Sequence, residues 1–230
     1  MALGPRDPGV RVVFGMSGAG KSHWLTRSVV ASARELVRVI VIDPEEDWQS
    51  VPEDLIEATD YAPSVEAARA RFKRDERLRI LIVRPPPGRE ADEANAACEW
   101  ALRGKAMRGV VIHEAWNVAP AKGALPPELL RLTRVWRHRN AFLWVDTPRP
   151  SDLSRNLREV SRETHLFAIA GDADLDAVGD LAATGSRAEL VAEVQRCAEL
   201  LEAGEPGWNV ELGLARMRPA SGYKAKRLPP

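Results

Sequence analysis

A segment near the start of the sequence has the residue types and spacing of a phosphate-binding loop. The residues Gly15-Met16-Ser17-Gly18-Ala19-Gly20-Lys21-Ser22 fit the pattern Gly-x-x-x-x-Gly-Lys-Ser in full. Glycines let such a loop fold so that backbone N–H groups point inward at phosphate, and the following helix adds the positive end of its dipole. Lys21 would reach the outer phosphates and Ser22 would hold Mg²⁺. The motif therefore predicts a site for ATP and Mg²⁺. A glycine-rich turn that fits by chance is the alternative.

A second segment places a carboxylate directly after an apolar strand. His113 and Glu114 follow the apolar residues 109–112. A general base needs this placement just beyond a rigid strand end, so Glu114 is predicted to polarise the attacking water. The alternative is a surface glutamate after an ordinary strand. The sequence does not decide which residue serves the metal, because His113 can hydrogen-bond a metal-bound water and Glu114 can bind the metal instead.

These motifs need a sheet and helices to position them. Apolar residues at helical spacing predict helices over 21–36, 126–140 and 186–204, the last with capping-box spacing between Ser186 and Glu189. Strands that alternate with helices indicate an α/β domain with a mostly parallel sheet covered on both faces, which binds ligands at the carboxyl ends of its strands. Short, nearly continuous apolar segments predict the buried strands: 10–14, 37–42, 78–83, 109–112, 141–145 and 165–170.

Composition and charge exclude several classes of protein. The 230 residues are 45% hydrophobic and 29% charged, which is typical of a globular domain and excludes disordered and fibrous chains. No segment approaches the roughly 20 apolar residues of a membrane span, and no signal peptide is recognisable, so we expect a cytoplasmic protein. Cys98 and Cys197 lie far apart and predict neither a disulfide nor a zinc site.

The end of the chain is predicted to differ from the rest. Residues 1–215 are interpreted as one domain, whose last part alternates apolar and polar residues from Trp208 to Leu214 and predicts an edge strand. Residues 216–230 contain five basic side chains and no acidic one, and are interpreted as a flexible basic tail. Because the 33 basic and 33 acidic residues balance, net charge gives no argument for binding nucleic acid.

A third motif carries a resemblance to a known family. The segment Thr147-Pro148-Arg149-Pro150-Ser151 follows a predicted strand, Asp43-Pro44 ends the second strand, and an arginine-rich helix lies just upstream. Together these features resemble the FtsK/HerA superfamily of DNA-pumping ATPases, whose fourth core strand ends in Thr-Gln-Arg-Pro-Ser. The resemblance covers residues 10–170 and implies a RecA-like, additional-strand P-loop NTPase fold. His113 stands in place of the family's aspartate. Pro148 replaces the glutamine that senses the terminal phosphate, with Thr147 or Asp146 as substitutes.

The resemblance also implies how the site is completed. In this family, hydrolysis takes place between subunits of a homo-oligomeric ring, here expected to be a hexamer, and an arginine of the neighbouring subunit stabilises charge on the transferred phosphoryl group. Arg134 and Arg137, on the predicted exposed face of the helix before the fourth strand, match that location best. Arg149 is a further candidate. The alternatives are a solvated or ion-paired helix face for Arg134 and Arg137, and a role in bracing the backbone for Arg149.

The function implied by the resemblance is ATP hydrolysis coupled to translocation of double-stranded DNA without sequence readout. The loops 84–89 and 119–124 are candidates for contacting the DNA. A bare ATPase core with a short extension is most similar to the genome-packaging ATPases of internal-membrane icosahedral viruses. Such a protein would act in the host cytoplasm and at the virion vertex, with capsid or vertex proteins as partners.

Three other functions stay open. One is a HerA-like cellular or plasmid translocase that works with a nuclease. Another is an assembly protein that binds ATP but hydrolyses it weakly, which His113 and Pro148 would permit. The last is a small-molecule phosphotransferase, against which the arginines and the lack of an obvious lid argue.

Overall fold

A nine-stranded sheet forms the centre of the computed structural model, which describes residues 9–46, 48, 53–182, 186–212 and 223–227. The strands are β1 Gly9–Phe14, β2 Arg38–Ile42, β3 Thr59–Ala62, β4 Ile80–Val83, β5 Arg108–Ile112, β6 Ala141–Thr147, β7 Glu163–Leu166, β8 Trp208–Leu212 and β9 Lys226–Arg227. Across the sheet the order is β3-β4-β2-β5-β6-β1-β7-β8-β9. The strands from β3 to β7 in this order run parallel, whereas β8 is antiparallel to β7 and β9 is antiparallel to β8.

Helices cover both faces of this sheet. Val13 and Trp144 pack in one buried cluster with Leu25 of the first helix, whereas Val12 packs on the other face with Leu129 of the fourth. This is the predicted mostly parallel, doubly covered sheet. Its central strands are buried on both faces, which is why their sequences are nearly continuously apolar. The helices are α1 Lys21–Arg34, α2 Val65–Arg74, α3 Glu90–Leu102, α4 Pro127–Arg139, α5 Arg155–Val160, α6 Asp172–Gly179 and α7 Arg187–Glu202. Short 3-10 helices are Glu53–Ala58, Ala115–Asn117 and Pro150–Asp152.

The predicted strands agree with the structure within about two residues, except the last one. Residues 165–170 were predicted to be a strand, but β7 covers Glu163–Leu166, and the residues after it bond to the phosphate loop instead. The start of β7 is polar and yet buried, because Glu163 is paired with Arg11. The sequence also did not predict β3, a partly exposed edge strand whose residues Thr59, Asp60 and Tyr61 are polar or exposed.

The end of the described chain packs more closely than predicted. β8 is not an edge strand, because Lys226–Arg227 pairs with its outer side. Tyr223 is buried, and its backbone N–H donates to the Glu189 carboxylate. The capping box predicted between Ser186 and Glu189 therefore does not form. Glu189 bonds to Tyr223 instead, and the Ser186 side chain makes no capping hydrogen bond. These contacts differ from the flexible tail predicted over 216–230, of which 216–222 and 228–230 lie outside the described residues.

Candidate active site

The predicted phosphate loop connects β1 to α1 at the carboxyl edge of the sheet. Gly18 and Gly20 have φ angles of 76° and 108°, in the left-handed region that favours glycine. A Cβ at Gly15 would lie 2.5 Å from the Phe167 Cβ atom, so no side chain fits there. The glycines of the motif are thus required by the turn that the loop makes and by its close packing.

Lys21 begins α1 with a buried side chain. Its Nζ atom donates to the Met16 carbonyl oxygen at 3.4 Å, which holds the ammonium group over the loop. Among the described residues, no carboxylate forms an ion pair with it. The positive charge is therefore available to an anionic ligand, while Met16, Ser17 and Ser22 are exposed on the solvent side of the loop.

Neighbouring segments hold the loop from several sides. The Met16 N–H donates to the Ala168 carbonyl at 2.8 Å, beyond the end of β7. The Gly207 N–H donates to the Ala19 carbonyl at 3.1 Å, just before β8 begins. Because these bonds come from elements distant in sequence, the loop is preorganised by the whole sheet rather than by its own residues alone.

Glu114 lies directly beyond β5, in a left-handed conformation with φ 52° and ψ 55°. Burial raises the pKa of its carboxyl group, and the nearby Asp146 carboxylate raises it further. Lys21 and His113 act in the opposite direction on the same pKa. Glu114 therefore lies within the electrostatic field of Lys21.

Asp146, predicted from the sequence only as a substitute phosphate sensor, lies next to His113 and Glu114. It is fully buried on β6, and its Oδ1 atom lies 2.9 Å from His113 Nδ1 and 3.2 Å from the Glu114 backbone nitrogen. Its Oδ2 atom is buried without a hydrogen-bond partner. The signal that could have found it is an acidic residue near the end of an otherwise apolar strand.

The residues around Asp146 fit a metal ion. Ligand atoms of His113, Glu114 and Asp146 all lie within 4.8 Å of one another. Mg²⁺ prefers carboxylate and hydroxyl oxygens, which Asp146, Glu114 and Ser22 offer at this edge of the sheet. The unpartnered Asp146 oxygen is the particular atom that a cation would satisfy.

The predicted arginines lie in different places. Arg134 is exposed on α4, which packs on the sheet face opposite α1. Arg137 is on the same helix, but its side chain lies outside the described residues. Arg149 lines an open cavity of about 430 Å³ beside the loop, together with Met16 and Pro148. The structure thus brings Arg149, but not Arg134, close to the phosphate loop of the same chain.

Arg149 is also held by an acidic side chain. Its Nε atom donates to Asp174 Oδ2 at 3.1 Å, and this bond raises the pKa of the guanidinium group. The Ser151 N–H and hydroxyl both donate to Asp174 Oδ1. Asp174 therefore holds the turn after β6 in place. The bond from Arg149 to Asp174 agrees with the alternative considered for this arginine, a role in bracing the backbone.

The predicted DNA-contacting loops differ in how much of their charge is engaged within the chain. Arg84 lies 3.2 Å from the Glu46 carboxylate and 3.7 Å from Asp43, and its guanidinium packs over the Tyr61 ring. By contrast, Lys122 on the other loop is exposed.

A second group of possible metal ligands lies away from the loop. Glu163, His165 and Glu211 form this group, but both Glu163 oxygens are engaged, Oε2 by Arg11 at 3.0 Å and Oε1 by His165 at 2.8 Å. His165 Nδ1 lies 3.2 Å from Asn209 Oδ1. Burial raises the pKa of Glu163, but the bonds from His165 and Arg11 outweigh it, so the pKa lies below its ordinary value. This network satisfies itself without a ligand.

Within the described ranges, no helix combines the length and the apolar composition that crossing a bilayer requires.

Comparison with known proteins gives structural neighbours only. No protein-family model matches the sequence, and no curated protein sequence matches it. The fold is similar to the genome packaging NTPase B204 from Sulfolobus turreted icosahedral virus 2 in complex with AMPPCP, with a TM-score of 0.71 and 14% identity over 98% of this chain and 100% of that one. VirB4 of Thermoanaerobacter pseudethanolicus gives a TM-score of 0.63 and 12% identity over 100% and 92% of the two chains.

A third neighbour is the pCW3 conjugation coupling protein TcpA in its monomer form with ATPgS. Its TM-score is 0.52 and its identity 14%, over 96% of this chain and 60% of that chain. These neighbours are FtsK/HerA-type P-loop ATPases. At the level of the fold, the comparisons therefore confirm the resemblance and the RecA-like P-loop NTPase fold predicted from the sequence.

Proposed function

We propose that this protein is an ATP-driven translocase of double-stranded DNA, and that it packages a viral genome into a preformed capsid. The observation that carries the proposal is a complete phosphate loop at the carboxyl edge of the sheet, with Glu114 in the electrostatic field of Lys21. A loop of this form binds a nucleoside triphosphate, and a strand-end carboxylate next to it is suited to hydrolysis.

The extent of the structural match supports the choice of a packaging ATPase. The similarity to the genome packaging NTPase B204 spans 98% of this chain and 100% of that chain. Because the identity is 14%, this support comes from the fold and not from shared functional residues.

In the proposed reaction, backbone N–H groups of residues 15–20 and the Lys21 ammonium bind the phosphates. Glu114 takes a proton from the water that attacks the terminal phosphate, and its raised pKa makes it a better proton acceptor than an ordinary glutamate. Mg²⁺ bound by Ser22 and neighbouring carboxylates would neutralise charge on the phosphates. The fixed loop holds the substrate in line for this attack.

A second subunit completes the proposed site. Arg134 is exposed on the sheet face opposite α1, so it is a candidate to act on the site of a neighbouring subunit rather than on its own. Arg137 on the same helix is the second candidate, and Arg149 at the cavity beside the loop is the third. We therefore propose a homo-oligomeric ring, a hexamer, with one of these arginines acting in trans.

Mixing variants tests action in trans. Arg134→Ala and Arg137→Ala are each mixed with Lys21→Ala, so that an intact loop of one subunit meets an intact arginine of the other. Turnover should return in at least one mixture. If every mixture stays as inactive as its components, the arginines on α4 do not act on a neighbouring subunit.

A second candidate function is an assembly protein that binds ATP and hydrolyses it weakly. The specific observation in its favour is that His113 and Pro148 stand where the related ATPases have aspartate and glutamine. A HerA-like translocase that works with a nuclease would share the site and the ring, and would differ in its partner.

One experiment separates these functions. ATP turnover is measured with and without double-stranded DNA, and the mass of the assembly is measured with and without nucleotide. The proposed function predicts a ring whose turnover rises on adding DNA, with a DNA affinity that falls steeply with salt because phosphates are contacted without sequence readout. Nucleotide binding with no DNA-stimulated turnover would instead identify the assembly protein. Capsid or vertex proteins in the complex support packaging, whereas a nuclease partner supports the HerA-like translocase.

A further inference from the structure

One buried oxygen atom at the candidate active site is unexplained by the contacts within the chain. Asp146 is 0% exposed, and its Oδ2 atom has no hydrogen-bond partner. Leaving a carboxylate oxygen buried and unbonded is unfavourable, because the oxygen loses its hydration without gaining a partner. Buried polar groups are nearly always bonded, so this oxygen calls for a ligand.

The other oxygen of the same carboxylate is firmly held. His113 Nδ1 lies 2.9 Å from Asp146 Oδ1, and the Glu114 N–H donates to the same atom. Both bonds end on Oδ1, so they orient the carboxylate and leave Oδ2 free. Carboxylates that bind metal ions are themselves commonly held by hydrogen bonds to neighbouring groups.

The sheet register places this carboxylate between the two functional motifs. Asp146 lies opposite Val13 on β1, two residues before the phosphate loop begins. On the other side, β5 pairs with β6 as far as Ile112 and Val145, so His113 and Glu114 come next to Asp146. Asp146 also follows Trp144 by two residues, which places it on the sheet face that α1 covers.

We propose that Asp146 Oδ2 holds the Mg²⁺ of the bound nucleotide, directly or through one of the metal's waters, and that His113 is its positioning residue. The carboxylate missing from position 113 is thus supplied by the neighbouring strand. This inference rests on the proposed function, because it requires a nucleotide in the phosphate loop. It assigns the metal to Asp146 and leaves Glu114 to the attacking water.

Metal binding can be measured apart from turnover. Mn²⁺ replaces Mg²⁺, and its affinity for the complex of the protein with a nonhydrolysable ATP analogue is followed by electron paramagnetic resonance. Asp146→Asn, which keeps the shape of the side chain, should lower the Mn²⁺ affinity by about 10–100-fold. The affinity for the analogue without metal should stay within about twofold.

The matched control is Asp43→Asn, at the end of β2. Asp43 is also a fully buried carboxylate just beyond a strand, but its Oδ2 atom accepts from the Trp48 N–H. This variant should bind Mn²⁺ like the wild type. An equal loss of affinity in Asp43→Asn and Asp146→Asn would overturn the assignment of the metal to Asp146.

The positioning role of His113 has its own test. His113→Gln should lower the Mn²⁺ affinity by about tenfold, because it releases Oδ1. His113→Asp added to Asp146→Asn should restore part of the affinity, since it returns a carboxylate to the same edge. A role for His113 and Asp146 in stability alone would give no such rescue.

A failure of the proposed function can be distinguished from a failure of this inference. If the wild type binds no nucleotide, the proposed function fails. If the wild type binds the analogue with Mn²⁺ and Asp146→Asn binds both as tightly, only this inference is overturned. Should Asp146→Asn not fold, wild-type protein labelled with ¹³C in its aspartate carboxyl groups decides, because Mn²⁺ held directly or through one water lies close enough to the carboxyl carbon to show dipolar coupling to ¹³C. Absence of that coupling overturns the proposal.

Discussion

Two buried histidine–carboxylate pairs in this molecule are alike in distance and differ in one oxygen atom. His165 lies 2.8 Å from Glu163, and His113 lies 2.9 Å from Asp146. Arg11 occupies the second oxygen of Glu163, whereas the second oxygen of Asp146 has no partner. The same pair of side-chain types therefore serves stability when the chain completes its bonds, and points to a ligand when it does not.

The comparison predicts opposite consequences of substitution. Variants at the loop edge should change nucleotide binding or turnover and leave stability nearly intact. Variants in the Glu163 network should lower stability and leave nucleotide affinity intact. A variant that does the reverse would remove the distinction between the two pairs.

The largest effect is expected for Lys21→Ala. The phosphates lose their principal cation, so the affinity for a nonhydrolysable ATP analogue should fall by about 100-fold or more. Calorimetry measures it, with Lys122→Ala, an exposed lysine on a separate loop, as the control. Unchanged affinity in Lys21→Ala would refute the phosphate loop itself.

Glu114→Gln should separate binding from chemistry. Without the base, ATP turnover should fall by about 10²–10⁴-fold while the nucleotide stays bound. Phosphate release measured alongside analogue binding checks both statements. Normal phosphate release from this variant would exclude Glu114 from catalysis.

Glu163→Gln should act on stability. It leaves Arg11 and His165 buried without their carboxylate, which costs about 3 kcal/mol and lowers Tm by about 6–12 °C. Glu211→Gln, at a half-buried position in the same group, is the control and should shift Tm by less than about 2 °C. Nucleotide affinity of the folded protein should be unchanged in both variants.

The pH dependence of this effect follows from the lowered pKa of Glu163. A carboxyl group whose pKa is lower in the folded state stabilises the protein at pH values above its pKa in the unfolded state. This stabilisation is lost as the pH falls through the pKa of the folded state. The Tm difference between wild type and Glu163→Gln should therefore be full above pH 4.5, the ordinary value, and shrink at lower pH. A difference that grows on acidification would contradict the pairing.

The smallest effect is expected for the stability of Glu114→Gln. Because the pKa of Glu114 is raised in the folded state, the wild type loses stability as pH rises above 4.5. The variant should therefore have a Tm about 1–2 °C above the wild type near neutral pH, and the gap should close in acid. Turnover of the wild type should rise with pH over the same range, since the base must be ionised.

The sequence predicted those features whose residues are neighbours in the chain. The phosphate loop is one contiguous motif between a strand and a helix, and the apolar strands around it were found from their composition. The position of Glu114 just beyond the end of β5 could be predicted for the same reason, because the strand is apolar. Local sequence also predicted where α1, α4 and α7 lie, within about two residues at each end.

The pairings across the sheet could not be predicted. His113 and Asp146 lie 33 residues apart, and Arg11 and Glu163 lie 152 apart, so both depend on strand register. The beginning of β7 was missed because Glu163 is buried through pairing, although its residue type predicts exposure. Likewise, Glu189 bonds to Tyr223 instead of closing the cap of its own helix, which only tertiary packing decides.

The contact between Ala19 and Gly207 has a practical consequence for truncation. A Cβ on Gly20 would lie 3.2 Å from the Gly207 Cα atom, so the outer wall of the loop is formed by backbone from nearly the opposite end of the domain. A minimal fragment designed to capture nucleotide must therefore extend past this glycine, even though every residue of the motif lies within the first 22. Cutting after α6 would keep the whole motif but remove the backbone that supports it.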